Sequence, residues 1–304
     1  MNKKVILVYM SVVLFSAAFL AGCSSELNDN IATPPAVSVH PEGIVTPSSA
    51  NFHGKLIKAK NWDMNECKSC HGTSFTGAGS ASSCYTCHTQ PAGPLACNTC
   101  HGDFSNPAVI YPPQDLMDRD SSETVGAHAL HMQGLGNGPA LVCGDCHTVP
   151  ATAGAAGHLD NTPGAEIVYS AKSSISTNVS GHQYYASSLP TNVPNPRFVT
   201  VPGTNKKGCA DSYCHGSFKN GNPDNIAVWS AGADGAKCGS CHGDVATGNP
   251  LPKTTANGGN HPNVQNCSFC HGDVVSVSGT TYTIIDKQKH INGKLNVYGT
   301  EVDY

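Results

Sequence analysis

Fourteen of the chain's 15 cysteines fall into seven local pairs, and each pair is followed at once by a histidine. Six read CxxCH: Cys67/Cys70-His71, Cys84/Cys87-His88, Cys97/Cys100-His101, Cys143/Cys146-His147, Cys238/Cys241-His242 and Cys267/Cys270-His271. The seventh, Cys209-Ala-Asp-Ser-Tyr-Cys214-His215, reads CxxxxCH. With 15 histidines in 304 residues, a given position is histidine about one time in twenty, so seven such coincidences by chance are on the order of one in a billion. Disulfides are open to an exported chain with paired cysteines, and zinc ribbons also use CxxC; neither explains the histidines. Covalent haem c explains both, because two thiols on one short turn add to the two vinyl groups while the adjacent imidazole faces the iron. The expectation is seven haem c groups. Those 14 cysteines are the thioether residues, and His71, His88, His101, His147, His215, His242 and His271 are the proximal ligands. At Cys209/Cys214 the two extra residues must bulge away and leave the histidine in place.

This reading accounts for a shortage elsewhere. After the first 22 residues, Leu, Ile, Val and Phe supply 47 of 282, about 17%, below the level at which a conventional core is expected. Net charge is modest, since without Lys3 and Lys4 there are 15 basic and 21 acidic residues, a net of −6. Flat apolar macrocycles would fill the interior in place of aliphatic side chains. The predicted fold class is mostly irregular and haem-cored, with short helices at the motifs and a few short β-hairpins. Strands are expected near 165–169, 281–285 and 295–302, with 282–285 pairing 295–298 around His290. Glycine follows the motif histidine at five sites, where backbone must turn sharply or pass close to a macrocycle. Lys and Arg form no patch suited to nucleic acid, and no later run is long enough to span a membrane.

Met1-Asn2-Lys3-Lys4 and the apolar run Val5 to Leu20 have the form of an export signal. It ends in Leu20-Ala21-Gly22-Cys23, which resembles the lipobox of bacterial lipoproteins and makes Cys23 the candidate lipid anchor. Residues 1–22 are thus the expected signal peptide. Residues 23–50, rich in Ser, Pro, Thr and Asn, are the expected anchor and tether. Ser24 after the anchor points to the outer membrane, facing the periplasm or the cell surface.

Two stretches carry a family resemblance. Cys67-Lys-Ser-Cys70-His71-Gly72-Thr-Ser-Phe75-Thr-Gly77, leading into Ser83-Cys84-Tyr-Thr-Cys87-His88, and the segment from Gly208 to Gly216 resemble the multihaem c-type cytochromes of dissimilatory metal-reducing, Geobacter-like bacteria, lipoproteins that mix CxxCH with CxxxxCH. The resemblance extends over 51–304. It implies a periplasmic or cell-surface electron carrier.

Eight histidines lie outside the motifs: His40, His53, His128, His131, His158, His182, His261 and His290. Bis-histidine ligation of seven irons needs seven; His40, in the tether, is the spare. The other seven are the candidate distal ligands, a set suited to low-potential electron transfer rather than to substrate binding. His128 and His131, three apart, would share one helical face and serve two neighbouring haems. The Gly134–Gly138 stretch lacks the lysine of a phosphate-binding loop and reads as a loop beside the fourth haem. Trp62, Trp229 and the tyrosines read as packing residues.

Motifs cluster at 51–104, 127–205 and 206–304, and the middle stretch, with one motif and four spare histidines, must lend ligands outward. The functional expectation is electron hopping rather than enzymatic turnover, with redox proteins or extracellular metal oxides as partners and no nucleic acid. Two other classes stay open: a reductase of a small oxyanion such as nitrite, and a structural haem filament or a component of an outer-membrane porin conduit.

Overall fold

The computed structural model describes residues 39–104, 106, 108–112, 123, 125–159, 165–176 and 193–303. The signal segment, Cys23 and His182 lie outside the described residues. The chain divides into two compact units, Met1–Lys60 and Asn61–Tyr304. In the first, turns from residue 41 lead into α1 (His53–Ala59), whose opening His53 ring donates from Nδ1 to the Ile44 carbonyl at 3.0 Å.

Regular structure in the second unit is sparse, and short helices or single turns form at six of the seven motifs as the sequence leads one to expect; the sixth, Cys238–His242, is turn and bend without a helix. The helices are α2 (Asn65–His71), α3 (Cys97–Cys100), α4 (His128–Met132) and α5 (Ser268–His271). Single 3₁₀ turns cover Cys84–Thr86, Cys143–Asp145 and Tyr213–His215. One hydrogen bond explains the recurrence of a single turn. The amide of the motif histidine donates to the carbonyl of the first cysteine at His88/Cys84 (2.9 Å), His101/Cys97 (3.0 Å), His147/Cys143 (2.9 Å) and His271/Cys267 (2.9 Å). That is one α-helical closure, which brings both thiols and the imidazole onto the same short arc.

The CxxxxCH site is built differently. Cys209 lies on a strand, in an antiparallel sheet of order β1 (Arg197–Thr200), β2 (Lys207–Ala210), β3 (Ile226–Val228), with Phe198 opposite Cys209 and Cys209 opposite Ala227. The chain then reverses through Asp211, held at φ 52° with its carboxylate accepting from the Ser217 hydroxyl at 2.7 Å, into the turn that carries Cys214 and His215. The extra length is spent on the passage from strand to turn. Gly216 then continues at φ +116°, where a Cβ would stand 2.6 Å from the Asn222 carbonyl oxygen and 2.9 Å from that of Cys241, so only glycine fits.

Two hairpins close the chain: β4 (Val275–Ser278) with β5 (Thr281–Ile284), and β6 (Lys294–Val297) with β7 (Thr300–Asp303). β5 falls where the sequence places a strand, and the stretch expected as one strand over 295–302 is divided between β6 and β7; β4 was not expected, and the partners differ. The expected pairing of 282–285 with 295–298 is replaced by two local hairpins, because two-residue connections at Gly279-Thr280 and at Tyr298-Gly299, the latter with φ of 49° and 74°, suit tight turns and cost less loop entropy. Residues 165–169 form no strand either. Their backbone groups are spent on the fourth motif: the Val168 amide donates to the Cys146 carbonyl, and the Glu166 carbonyl accepts from His147.

The apolar core is as thin as the composition requires: among the described residues, Phe75, Tyr111, Ala127, Ala210, Tyr213, Ala227 and Val274 are the buried apolar ones. Meanwhile Phe104, Val142, Val149 and Phe269, all within or beside motifs, are more than half exposed. No helix among the described residues is long and apolar enough to cross a membrane.

Candidate haem centres

Among the described residues, ten histidine rings share one arrangement. Among motif histidines, Nδ1 lies against a backbone carbonyl oxygen at His71 (Ser82, 2.8 Å), His147 (Glu166, 2.8 Å), His242 (Pro250, 2.6 Å) and His271 (Asn296, 2.5 Å). The same holds at His53 (Ile44, 3.0 Å), His128 (Val125, 2.8 Å), His131 (Ala127, 2.9 Å), His158 (Ala153, 2.8 Å), His261 (Pro262, 2.8 Å) and His290 (Asn137, 2.6 Å). A carbonyl only accepts, so Nδ1 carries the proton and Nε2 keeps its lone pair. This is how a protein orients a metal-ligating imidazole through its outer partner.

The rings also face one another in pairs, each joining a motif histidine to a non-motif one. Centroid separations are 5.8 Å for His101/His158, 6.3 Å for His147/His128, 6.1 Å for His215/His131, 6.5 Å for His242/His290 and 6.3 Å for His271/His261. A metal–imidazole bond of about 2.0 Å plus about 1.1 Å from nitrogen to ring centre puts two rings on opposite sides of one ion about 6.2 Å apart. The residues therefore fit an iron held between two imidazoles at five of the seven motifs. His88 meets Phe104 edge-on at 5.1 Å, and His53 belongs to the first unit.

Protonation states agree. Burial, aided by neighbouring imidazoles, pushes His101, His128, His215 and His242 below the ordinary histidine value, the last two to about 4, and burial lowers His261 and His290 as well. Neutral rings are the ones that ligate. All 14 described cysteines are free, and no group of three or more His, Cys, Asp or Glu among the described residues converges on a metal position. Burial, with neighbouring thiols, raises Cys146, Cys214 and Cys241 to about 11.

At the seventh motif the Cys270 thiol donates to the Tyr298 hydroxyl at 3.3 Å. The cause lies in the last hairpin: the Tyr298 amide donates to the Cys270 carbonyl at 2.7 Å, which draws the turn between β6 and β7 over the seventh motif and lays the phenol against the sulfur. A thioether has no S–H, so with haem attached the sulfur could only accept from that phenol. Tyr298 is 64% exposed and has room to turn aside.

Neighbouring motifs touch. The Tyr169 hydroxyl is 3.6 Å from Cys209 Sγ, Cys214 Sγ is 3.8 Å from the Lys172 carbonyl oxygen, and Cys241 Sγ is 3.9 Å from that of Cys214. The segment beside the fourth motif thus abuts the fifth, and the fifth abuts the sixth. Helix α4 presents His128 to the fourth motif and His131 to the fifth, as its spacing predicts.

Supporting residues had no sequence signal. Asn222 Nδ2 lies 2.9 Å, 3.1 Å and 3.2 Å from the carbonyl oxygens of Gly239, Ser240 and Gly243 and so braces the sixth motif from the loop after the fifth. Asn225 Nδ2 donates to the His215 carbonyl at 2.7 Å. The Gly134–Gly138 stretch, expected beside the fourth haem, serves the sixth: the Asn137 carbonyl accepts from His290, and its side-chain amide donates to the Ala236 carbonyl at 2.9 Å. Glycines let that loop lie close to the Ile291 side chain. Asp145, adjacent to Cys146, accepts from the Val142 amide (3.0 Å), Ser170 Oγ (3.2 Å) and Lys172 Nζ (2.9 Å).

Thiol pairs on a single turn, beside an imidazole that presents Nε2, define a haem-attachment site of the c type, and electron transfer is the general work of proteins built on it. The family model described as the Geobacter CxxxxCH...CXXCH motif matches residues 208–242, which hold the fifth and sixth motifs. The match supports a multihaem c-type cytochrome of Geobacter type. No curated protein and no solved structure matches the chain.

Proposed function

We propose that this chain is an exported, lipid-anchored cytochrome carrying seven bis-histidine haems, which relays electrons by hopping between a periplasmic donor and an acceptor at the outer membrane or cell surface, as in extracellular metal respiration. The observation that carries the reading is the facing of motif and non-motif imidazoles at 5.8–6.5 Å, with Nδ1 tied to a backbone carbonyl in eight of the ten rings, all but His101 and His215. Bound haem supplies one-electron exchange at iron. The chain's part is to hold both axial positions closed, which favours electron passage over substrate turnover and argues against a catalytic iron. His53 and His182 would complete the distal set, and Cys23 would tether the molecule to the membrane. Contact between successive motifs from the fourth to the sixth supports a continuous relay.

Net charge supports the partner class. A net charge of −6 after removal of residues 1–22 becomes more negative with two propionates per haem, favouring cationic redox proteins or metal oxides, with an outer-membrane porin as a further partner. The test is low-temperature EPR with haem quantification on the purified holoprotein. Seven haems per chain and an all-low-spin spectrum are expected. A substantial high-spin signal, a count well below seven, or spectral shifts on adding nitrite or CO would refute the reading.

A further inference from the structure

Helix α4 is one short turn, yet its two histidines face different motifs with different ring orientations. His128 lies nearly parallel to His147, with 22° between planes, whereas His131 lies at 78° to His215. One indole stands against both distal rings. Trp229 stacks on His131 at 5.6 Å with 18° between planes, and meets His128 edge-on at 4.9 Å and 86°. The two distal rings are therefore turned at least 68° from one another, 86° less 18°.

The indole is itself held. Its backbone amide donates to the Lys207 carbonyl at 2.8 Å, at the end of β3, and Phe198 on β1 meets it edge-on at 6.1 Å and 88°. On its other side lies Gly126, at φ +43°, where a Cβ would stand 1.9 Å from the indole Nε1, so the backbone runs flush against the ring. The residues flanking that glycine supply the outer partners of both histidines: the Val125 carbonyl accepts from His128 and the Ala127 carbonyl from His131. Carbonyls fix where each ring is hinged. The indole face fixes how far each ring is rotated.

We infer that Trp229, seated against Gly126, is the positioning residue that sets the planes of His128 and His131, giving two adjacent haems opposite axial geometries, near-parallel at the fourth motif and near-perpendicular at the fifth. The inference rests on the bis-histidine reading above. Its consequence is electronic. Parallel imidazoles donate into one of the two iron orbitals available for π overlap and split them, which gives an ordinary rhombic low-spin spectrum. Perpendicular imidazoles act on both alike and leave them nearly degenerate, which gives a highly anisotropic low-spin signal. The geometry assigns that second signal to two of the five paired centres, His215/His131 and His242/His290, the latter at 75°.

The experiment is low-temperature EPR on full-length holoprotein with haem counted in each sample, comparing wild type with Trp229→Leu, Trp229→Phe and Gly126→Ala. Trp229→Leu removes the planar face and is expected to remove one iron's worth of the highly anisotropic signal, about half of what these two centres supply, with all irons still low-spin. Trp229→Phe, which keeps an aromatic face, is expected to retain it. Gly126→Ala, which displaces the indole without touching a histidine, is expected to reproduce the Leu spectrum. An unchanged spectrum in seven-haem Trp229→Leu and Gly126→Ala proteins overturns the inference and leaves bis-histidine ligation standing. Failure of both variants to load seven haems also overturns it, since the residue then serves the fold and not ligand orientation. A high-spin wild type would overturn bis-histidine ligation first, and this inference with it.

Discussion

Asn222→Ala isolates the brace between the fifth and sixth motifs. The side-chain amide has two N–H groups, shared among three carbonyls at 2.9, 3.1 and 3.2 Å in the turn Gly239–Gly243. Two hydrogen bonds at a net of about 1 kcal/mol each give about 2 kcal/mol, and half-buried carbonyls left short of donors add up to about 1 kcal/mol more. At about 1.4 kcal/mol per tenfold, local opening should become about 30- to 140-fold more frequent. Hydrogen–deuterium exchange of the holoprotein, read on peptides spanning 216–225 and 238–244, measures it directly, because opening also breaks the backbone bond from the Asn222 amide to the Cys241 carbonyl. Asn222→Asp should be worse than Ala, since it sets a carboxylate against the same three oxygens. Exchange within threefold of wild type in the Ala variant, or an Asp variant no worse than Ala, would refute the bracing argument.

Other expectations follow from the same geometry. Gly216→Ala places a Cβ 2.6 Å from a backbone oxygen at φ +116°, a cost of at least about 3 kcal/mol; mass spectrometry should show selective loss of the haem on Cys209/Cys214. Asp145→Ala removes the acceptor of three donors and should cost about 2–3 kcal/mol. Lys172→Ala, with a side chain 59% exposed, should cost under about 1 kcal/mol. Thermal melts resolve the difference at roughly 2–4 °C per kcal/mol. His131→Ala should convert a single iron to a high-spin, CO-binding form, read by absorbance titration, with the others unchanged. Expressed without haem maturation, the chain should remain protease-sensitive throughout 61–304, because its own apolar core is too small to offset chain entropy.

Part of the site was legible in residue order because its chemistry is local. A thiol, a second thiol three residues on and an imidazole next to it close one helical turn whatever surrounds them, as His88, His101, His147 and His271 show through the same hydrogen bond. The three-residue spacing of His128 and His131 likewise places them together on α4. The expected strand positions in 281–285 and 295–302 emerge too, while their partners were misjudged, since alternation marks a strand and turn energetics choose its mate. The phenol of Tyr298 against Cys270 had no signal at all, because that meeting depends on which hairpin the last strands form.

The pairing of His158 with His101, or of His290 with His242, has no such local cause. It depends on where the chain returns 57 and 48 positions further on, and those returns are settled by backbone carbonyls at Ala153 and Asn137, which any residue type could have supplied. Asn222, Asn137 and Trp229 gained their roles the same way, through groups distant in the chain. Sequence alone determined the haem-attachment chemistry and the poverty of the core, because both are written in residue types at short spacing. Tertiary structure decided which imidazole faces which and at what angle, because orientation is imposed by neighbours that meet only when the chain is folded.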